Sequence, residues 1–149
     1  MTSADASSSA MAANPAVAAG VTEDMIRRQV YGFYGKVRTD PALGPVFDRV
    51  VSDWDEHLPK MCDFWSSVLL RTGRFRGAPM LAHARIADIR PTHFARWLHL
   101  FHQTAQEVCP PEAAALFIAR SEMIAESLQL GIAASRGEPP PPRRARGDE

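Results

Sequence analysis

The sequence predicts an all-α domain, and three observations support this prediction. Apolar residues recur every three to four positions along four segments, as on one face of an amphipathic helix. Each of these segments begins near a capping residue or a proline. No segment alternates apolar and polar residues for long enough to predict a strand. We therefore expect four substantial helices and one or two short ones.

The first two long helices have clear starts in the sequence. Thr22 supplies a capping hydroxyl with acidic residues directly after it, and Thr39–Pro41 ends that helix. Ser52-Asp53 caps the second helix, which is expected to end before Thr72. Between the two helices, Pro41–Phe47 predicts a short turn or a single 3₁₀ turn. One face of the second helix carries His57 within an apolar stripe formed by Trp54, Leu58, Met61, Phe64, Trp65 and Val68.

The third and fourth long helices follow a loop rich in glycine and arginine. Pro91 starts the third helix, in which His93 is interpreted as a boundary residue and His99 and His102 are expected to face solvent. Its predicted buried face consists of Phe94, Trp97, Leu98, Phe101, Ala105 and Val108. The chain restarts at Pro110–Glu112, and Gly131 is the expected end of the last helix.

The domain is predicted to span residues 21–133, between two tails. Residues 1–20 are rich in alanine and serine, and residues 134–149 are rich in proline and arginine. Neither segment has enough large apolar side chains to offset the entropy lost on ordering, so both are expected to be disordered. The chain does not begin with a basic stretch followed by a long apolar one, so no secretory signal is expected.

The composition excludes several classes of protein. Lysine plus arginine number 17 and aspartate plus glutamate number 17, so the net charge is zero and no nucleic-acid partner is expected. No apolar run reaches the roughly 18 residues of a membrane-spanning helix, so no membrane partner is expected either. Cys62 and Cys109 form neither a disulfide framework nor a zinc motif. They are expected to be ordinary thiols in a reducing compartment, which predicts a cytoplasmic protein.

His57 and His83 are the histidines that the sequence marks for chemistry. His57 lies within an apolar stripe, where its polar ring needs a partner, and His83 ends a short apolar segment that Pro79 opens. The chain also has 7 phenylalanines, 3 tryptophans and 2 tyrosines, which suit a flat apolar ligand between helices. A plain aromatic core would give the same periodicity, so both interpretations stay open at this point.

Other kinds of site find no support in the sequence. No cysteine or carboxylate stands at zinc-ligand spacing to His57 or His83. There is no nucleophile elbow, and the glycines match neither the Walker nor the dinucleotide-binding pattern. The sequence therefore assigns no catalytic residue.

Five motifs occur in a fixed order along the domain: Phe33-Tyr34, Asp53–His57, Phe64-Trp65, Gly77–His83 and His93–Leu98. The spacing adds specificity, with 26 positions from His57 to His83 and 14 from His83 to Trp97. In this order, over about residues 22–130, the motifs resemble the group III truncated haemoglobins. The resemblance implies a truncated globin fold, a two-over-two helical sandwich around haem b and its iron.

The resemblance also implies roles for individual residues. His83 matches the family's proximal histidine, which is the protein ligand of the iron. The other matching cofactor-binding positions, all on the distal side of the haem, are His57, Tyr34, Trp97, Phe33 and Met61. Phe75 departs from the family pattern, because relatives often carry there a tyrosine that reaches a haem propionate. Arg74 and Arg76 are then the candidates for propionate contacts.

Three functional hypotheses follow. The first is a haem protein that binds O₂ and other diatomic gases such as NO and CO, with slow O₂ release because Tyr34, His57 and Trp97 can all donate hydrogen bonds. The alternative is a peroxidase-like or nitric-oxide-detoxifying haem enzyme, served by a reductase partner. The third is a helical interaction module without haem, in which the aromatic residues form a plain core.

Overall fold

The computed structural model describes residues 14–77 and 89–139, and these residues form an all-helical domain. Its helices are α1 (Pro15–Ala18), α2 (Glu23–Thr39), α3 (Gly44–Val50), α4 (Trp54–Leu70), α5 (Pro91–Val108) and α6 (Pro111–Arg136). The predicted all-α class is confirmed. The predictions for His83 and for residues 1–13 and 140–149 lie outside the described residues.

Helices α2 and α5 are the central pair of the domain. They pack against each other, α4 and α3 pack against α2, and α6 packs against α5. The helix starts follow the sequence. Thr22 Oγ1 accepts a hydrogen bond from the backbone N–H of Met25 at 3.1 Å, and Asp53 Oδ1 accepts from Asp55 N–H at 3.0 Å. In the described part of the chain, no helix is long and apolar enough to cross a membrane.

Helix α3 occupies a segment for which the sequence predicted only a turn. Pro45 lies in its first turn, where its missing N–H costs no intrahelical hydrogen bond. Pro45, which the sequence pattern places in a turn, therefore lies at the start of a helix. Gly44 suits this arrangement, since a Cβ there would make a tight contact of 3.0 Å with the carbonyl oxygen of Arg38.

Helix α6 continues beyond Gly131, where it was expected to stop. Ile132 and Ala133 are buried, and their packing outweighs the low helix propensity of glycine. The helix ends instead at Gly137, which has a φ of 67° and donates its N–H to the carbonyl of Ala134. Such a left-handed glycine is a common helix terminator.

Residues 14–20 differ from the tail that the composition predicted. Asn14 caps α1 by accepting a hydrogen bond from Ala16 N–H at 2.9 Å, and its Nδ2 donates to the Leu69 carbonyl of α4 at 3.0 Å. Ala16 and Val21 are buried against the core. A cap, a proline at the first helical position and these contacts with the core order the segment, although its composition is poor in large apolar residues.

Two hydrophobic clusters fill the domain. The larger cluster is built from α2, α4, α5 and the first turns of α6, with Phe33, Phe101 and Phe117 fully buried in it. The smaller cluster is built from the start of α5 and the middle of α6, and it consists of Ile89, Phe94, Ala125, Leu128 and Ile132. Trp97 and Ile124 pack against both clusters, so they mark the boundary between them.

Candidate functional site

A cavity of about 230 Å³ lies where the two clusters meet. Its walls are mostly apolar and come from α2, α3, α4, α5, α6 and the segment around Phe75. The described lining residues are Tyr34, Leu43, Val46, Phe47, His57, Met61, Phe64, Trp65, Phe75, Ile89, His93, Phe94, Trp97, Ile124, Ala125 and Leu128. A concave apolar site with a few polar groups is the usual form of a small-molecule or cofactor site.

The structure brings most of the predicted site residues together. Tyr34, His57, Met61 and Trp97 all line the cavity. Phe33 is not among the lining residues. It lies behind two of them, fully buried, with ring centroids 4.8 Å from Tyr34 and 5.3 Å from Trp97.

Tyr34 is a fixed and protonated donor in the cavity wall. Its ring contacts those of Phe47, Trp54 and His57 at centroid distances of 5.8, 5.6 and 5.6 Å. Burial raises the pKa of the Tyr34 phenol far above its ordinary value, because ionisation would place a charge in an apolar environment. The hydroxyl makes no hydrogen bond to another residue of ranges 14–77 and 89–139. Tyr34 can therefore donate to a ligand.

Trp97 is held in place by stacking. Its ring lies parallel to that of Phe101, with centroids 5.3 Å apart and planes inclined by 10°. Phe33 meets the same ring edge-on. The indole N–H donates to no residue that the structure describes. Like the Tyr34 hydroxyl, it is a preorganised donor without a partner in the described protein.

Trp54 is a residue whose importance to the site sequence reasoning missed. It contacts the rings of both Tyr34 and His57 at 5.6 Å, and the Arg38 guanidinium lies 4.8 Å from its centroid. The helical stripe on α4 did include Trp54. Periodicity gives the face of a helix on which a residue lies, but it does not identify the residues of other helices that meet that face.

An ion pair fixes the chain that leads into α3. The Asp40 carboxylate is nearly buried, and it accepts hydrogen bonds from Leu43 N–H at 3.0 Å and Ala42 N–H at 3.1 Å. Arg96 of α5 donates a hydrogen bond from Nε to Asp40 Oδ1 at 2.8 Å, and its Nη2 lies 2.8 Å from the same oxygen in an ion pair. Burial alone would raise the pKa of Asp40, but these hydrogen bonds outweigh burial and hold the pKa below its ordinary value. The pair thereby fixes α3, which contributes Val46 and Phe47 to the cavity.

The loop after α4 is attached at three points, one of which is a hydrogen bond between the hydroxyls of Ser66 and Thr72 at 2.9 Å. The Arg74 guanidinium pairs with Glu23 of α2 at 3.1 Å, and the backbone N–H of Phe75 donates to Ser67 Oγ at 2.9 Å. Phe75 contacts Phe64 edge-on at 5.2 Å and lines the cavity. Of the two arginines predicted as propionate contacts, Arg74 is thus already engaged with a carboxylate.

The other histidines of α5 are placed differently from one another. His93 is a boundary residue as predicted, since it accepts a hydrogen bond from Arg90 N–H. It also lines the cavity, which the sequence did not indicate. His99 is exposed, as expected, whereas His102 is half-buried rather than fully solvent-facing.

The helices and the cavity together define a small all-α protein with a largely apolar internal site. Comparisons identify the family. The chain is 31% identical over 113 residues to the group 3 truncated haemoglobin of Campylobacter jejuni subsp. jejuni serotype O:2, covering 73% of this chain and 89% of that protein. The crystal structure of a group III truncated haemoglobin from Campylobacter jejuni matches with a TM-score of 0.69 at 30% identity, over 72% of this chain and 88% of that one. No family model matches the chain.

The chain belongs to the group III truncated haemoglobins, and its fold is the truncated globin fold. The family implies haem, and the residues present fit it. Haem is a flat, mostly apolar ring system with two carboxylates, and the cavity combines apolar and aromatic walls with the donors of Tyr34 and Trp97. His93 adds a half-buried polar group to the same wall.

Proposed function

We propose that this protein binds haem b in the cavity, holds a diatomic gas such as O₂, NO or CO there, and releases O₂ slowly. When bound, haem supplies an iron centre to which such a gas attaches. His83 is the protein ligand proposed for this iron, on the basis of its match to the family motif. The distal side of the proposed haem site is formed by His57, Tyr34, Trp97, Phe33 and Met61.

The uncommitted hydroxyl of Tyr34 carries this proposal. It belongs to a buried side chain that lines the cavity, and ring contacts on several sides hold it in place. A donor that is fixed before the ligand arrives loses little conformational entropy on binding. Because burial keeps the phenol protonated, the proton remains available for donation over the physiological pH range.

The remaining distal residues have distinct proposed tasks. Trp97 offers its indole N–H from a ring that Phe101 and Phe33 hold in place. His57 lies against Tyr34 and Trp54 and is an alternate donor. Phe33 supports Tyr34 and Trp97 from behind, while Met61 contributes apolar wall that keeps water out of the site.

Displacement of O₂ from the haem-loaded protein tests the proposal. One hydrogen bond to a strongly polarised ligand contributes roughly 1.5–3 kcal/mol, which corresponds to about a 10- to 100-fold slower release. We expect Tyr34→Phe to raise the stopped-flow O₂ dissociation rate by such a factor, and Trp97→Phe to raise it by less. Tyr31→Phe on the same helix is the control, since Tyr31 is 43% exposed and is absent from the cavity wall.

Two results would count against the proposal in different ways. Dissociation rates within about twofold of the parent for both variants would overturn the role of the distal donors and the slow release derived from it. A purified protein that shows no Soret band after addition of haem would overturn haem binding itself, and it would favour the plain aromatic core.

A further inference from the structure

His93 presents a donor whose direction is set by a helix cap. The backbone N–H of Arg90 donates to His93 Nδ1 at 2.9 Å, and the backbone N–H of His93 donates back to the Arg90 carbonyl at 3.0 Å. Because Nδ1 accepts a hydrogen bond, the proton of the neutral imidazole lies on Nε2. That N–H makes no hydrogen bond within the described part of the chain.

The position of His93 within the cavity differs from that of the distal donors. Trp97 lies four residues further along α5, so the two side chains share one helix face and are about 6 Å apart along the axis. Trp97 and Tyr34 are linked through Phe33, and Tyr34 contacts His57. His93 takes part in none of these ring contacts and lies beside Ile89 and Phe94 of the smaller cluster.

We infer that His93 anchors one of the two carboxylates of haem, with Nε2–H donating to a carboxylate oxygen. This inference rests on the haem binding proposed above. A carboxylate is costly to bury, so it requires a donor near solvent. His93 is half-buried and lies outside the ring contacts that hold Tyr34, Trp97 and His57, and Tyr34 is only 7% exposed. The loop around Phe75 offers no comparable donor in the cavity wall. Arg74 is paired with Glu23, the Phe75 side chain has no polar atom, and Arg76 is exposed and is not among the described lining residues.

The same geometry makes His93 a poor ligand for the iron. A metal binds the imidazole nitrogen that carries no proton, and in His93 that nitrogen, Nδ1, is already bonded to Arg90 N–H. His93 is therefore assigned to the carboxylate edge of the haem and not to its metal.

Titration of the protein with haem b and with haem b dimethyl ester, followed by absorbance, tests the assignment. The ester keeps the ring and the iron but has no negative carboxylates. We expect the parent protein to bind haem b about 10-fold more tightly than the ester, as one hydrogen bond to a charged group predicts. His93→Glu should remove this preference, because it places a negative charge at the carboxylate while the Glu side chain can still accept the cap hydrogen bond.

Two further variants separate anchoring from a structural role. His99→Glu makes the same charge change at an exposed position of the same helix, and it should leave both affinities unchanged. His93→Gln keeps an acceptor for the cap and adds amide N–H donors, so it should lose less haem b affinity than His93→Glu.

The outcomes distinguish this inference from the proposed function. Equal affinity of the parent for haem b and its ester would overturn the carboxylate anchor while leaving haem binding intact. Equal weakening of both by His93→Glu would show that His93 contributes to haem binding without contacting a carboxylate, and it would also overturn the anchor. A parent protein that binds neither form would overturn the proposed function, and with it this inference.

Discussion

The two clusters that meet at the cavity are built in different ways. In the larger cluster, Phe101 contacts the rings of Phe33, Trp65, Trp97 and Phe117, and its planes with both tryptophans are nearly parallel. In the smaller cluster, Phe94 makes no ring-to-ring contact with another described residue, and its buried neighbours are aliphatic. Ring packing therefore orients the donors of the larger cluster, whereas the donor beside the smaller cluster, His93, is oriented by a backbone hydrogen bond.

The strongest test of this difference removes one ring from each cluster. Phe101 is fully buried, and we expect Phe101→Ala to reduce the free energy of unfolding by about 4–5 kcal/mol, near the upper end for a buried phenylalanine. Phe94→Ala should cost less, about 3 kcal/mol, because its site is lined by flexible aliphatic chains that can close the space. Urea unfolding measures both. An equal loss for the two variants would show that ring packing adds nothing to the larger cluster.

A second test concerns the ion pair between Asp40, in the chain that leads into α3, and Arg96 of α5. Asp40→Asn should lower the free energy of unfolding at neutral pH by about 2 kcal/mol, because a nearly buried acceptor of Arg96 and backbone N–H groups loses its charge. The folded pKa of Asp40 is below the unfolded value of about 3.9, so this stabilisation is present above that pH and is lost as pH falls through the folded pKa.

The pH dependence of this variant provides its control. The difference in thermal midpoint between the parent and Asp40→Asn should be large at neutral pH and should shrink as the Asp40 carboxylate of the parent becomes protonated. Asp48→Asn, at a position with no ion pair among the residues described, should show no such change. A constant difference at every pH would mean that the carboxylate charge contributes nothing to holding α3.

The smallest expected effect concerns the N-terminal edge of the larger cluster. A chain that begins at Val21 loses the burial of Ala16 and the hydrogen bond from Asn14 to Leu69, which together contribute about 1–2 kcal/mol. A chain that begins at Asn14 should unfold within about 0.5 kcal/mol of the full chain in urea. If both shortened chains matched the full chain, α1 would be irrelevant to stability, as expected for the disordered tail that the composition predicts.

Local patterns predicted the long helices and failed for the short ones. Thr22, Asp53 and Pro91 mark helix starts by their own chemistry, and the structure confirms each one. Pro15 and Pro45 also lie in first turns, but their helices are only 4 and 7 residues long and leave no apolar period to detect. Leu100 was missed for a related reason: α5 packs on both α2 and α6, so its buried surface is wider than a single stripe.

The sequence predicted part of the site, and the residues that it missed depend on contacts between distant segments of the chain. Tyr34, His57, Met61 and Trp97 were named from motifs that resemble a known family, and they do meet at one cavity. His93 was missed because its part in the cavity depends on how α5 is placed against α6, which no local pattern contains. The burial of Asp40 likewise depends on Arg96, 56 positions away in the chain. The prediction that His83 binds the iron concerns a residue that the structure does not describe, so it stays a prediction.

The arrangement of the tryptophans has a spectroscopic consequence. The chain has 3 tryptophans, of which Trp65 and Trp97 line the cavity and Trp54 contacts the rings of Tyr34 and His57 in its wall. Every tryptophan of the chain therefore lies in the wall of the cavity or directly behind it. A pigment that enters this cavity accepts excitation energy from all three tryptophans, and no distant tryptophan contributes an unquenched background. The intrinsic tryptophan fluorescence of the protein therefore reports the fraction of cavities that hold a bound pigment.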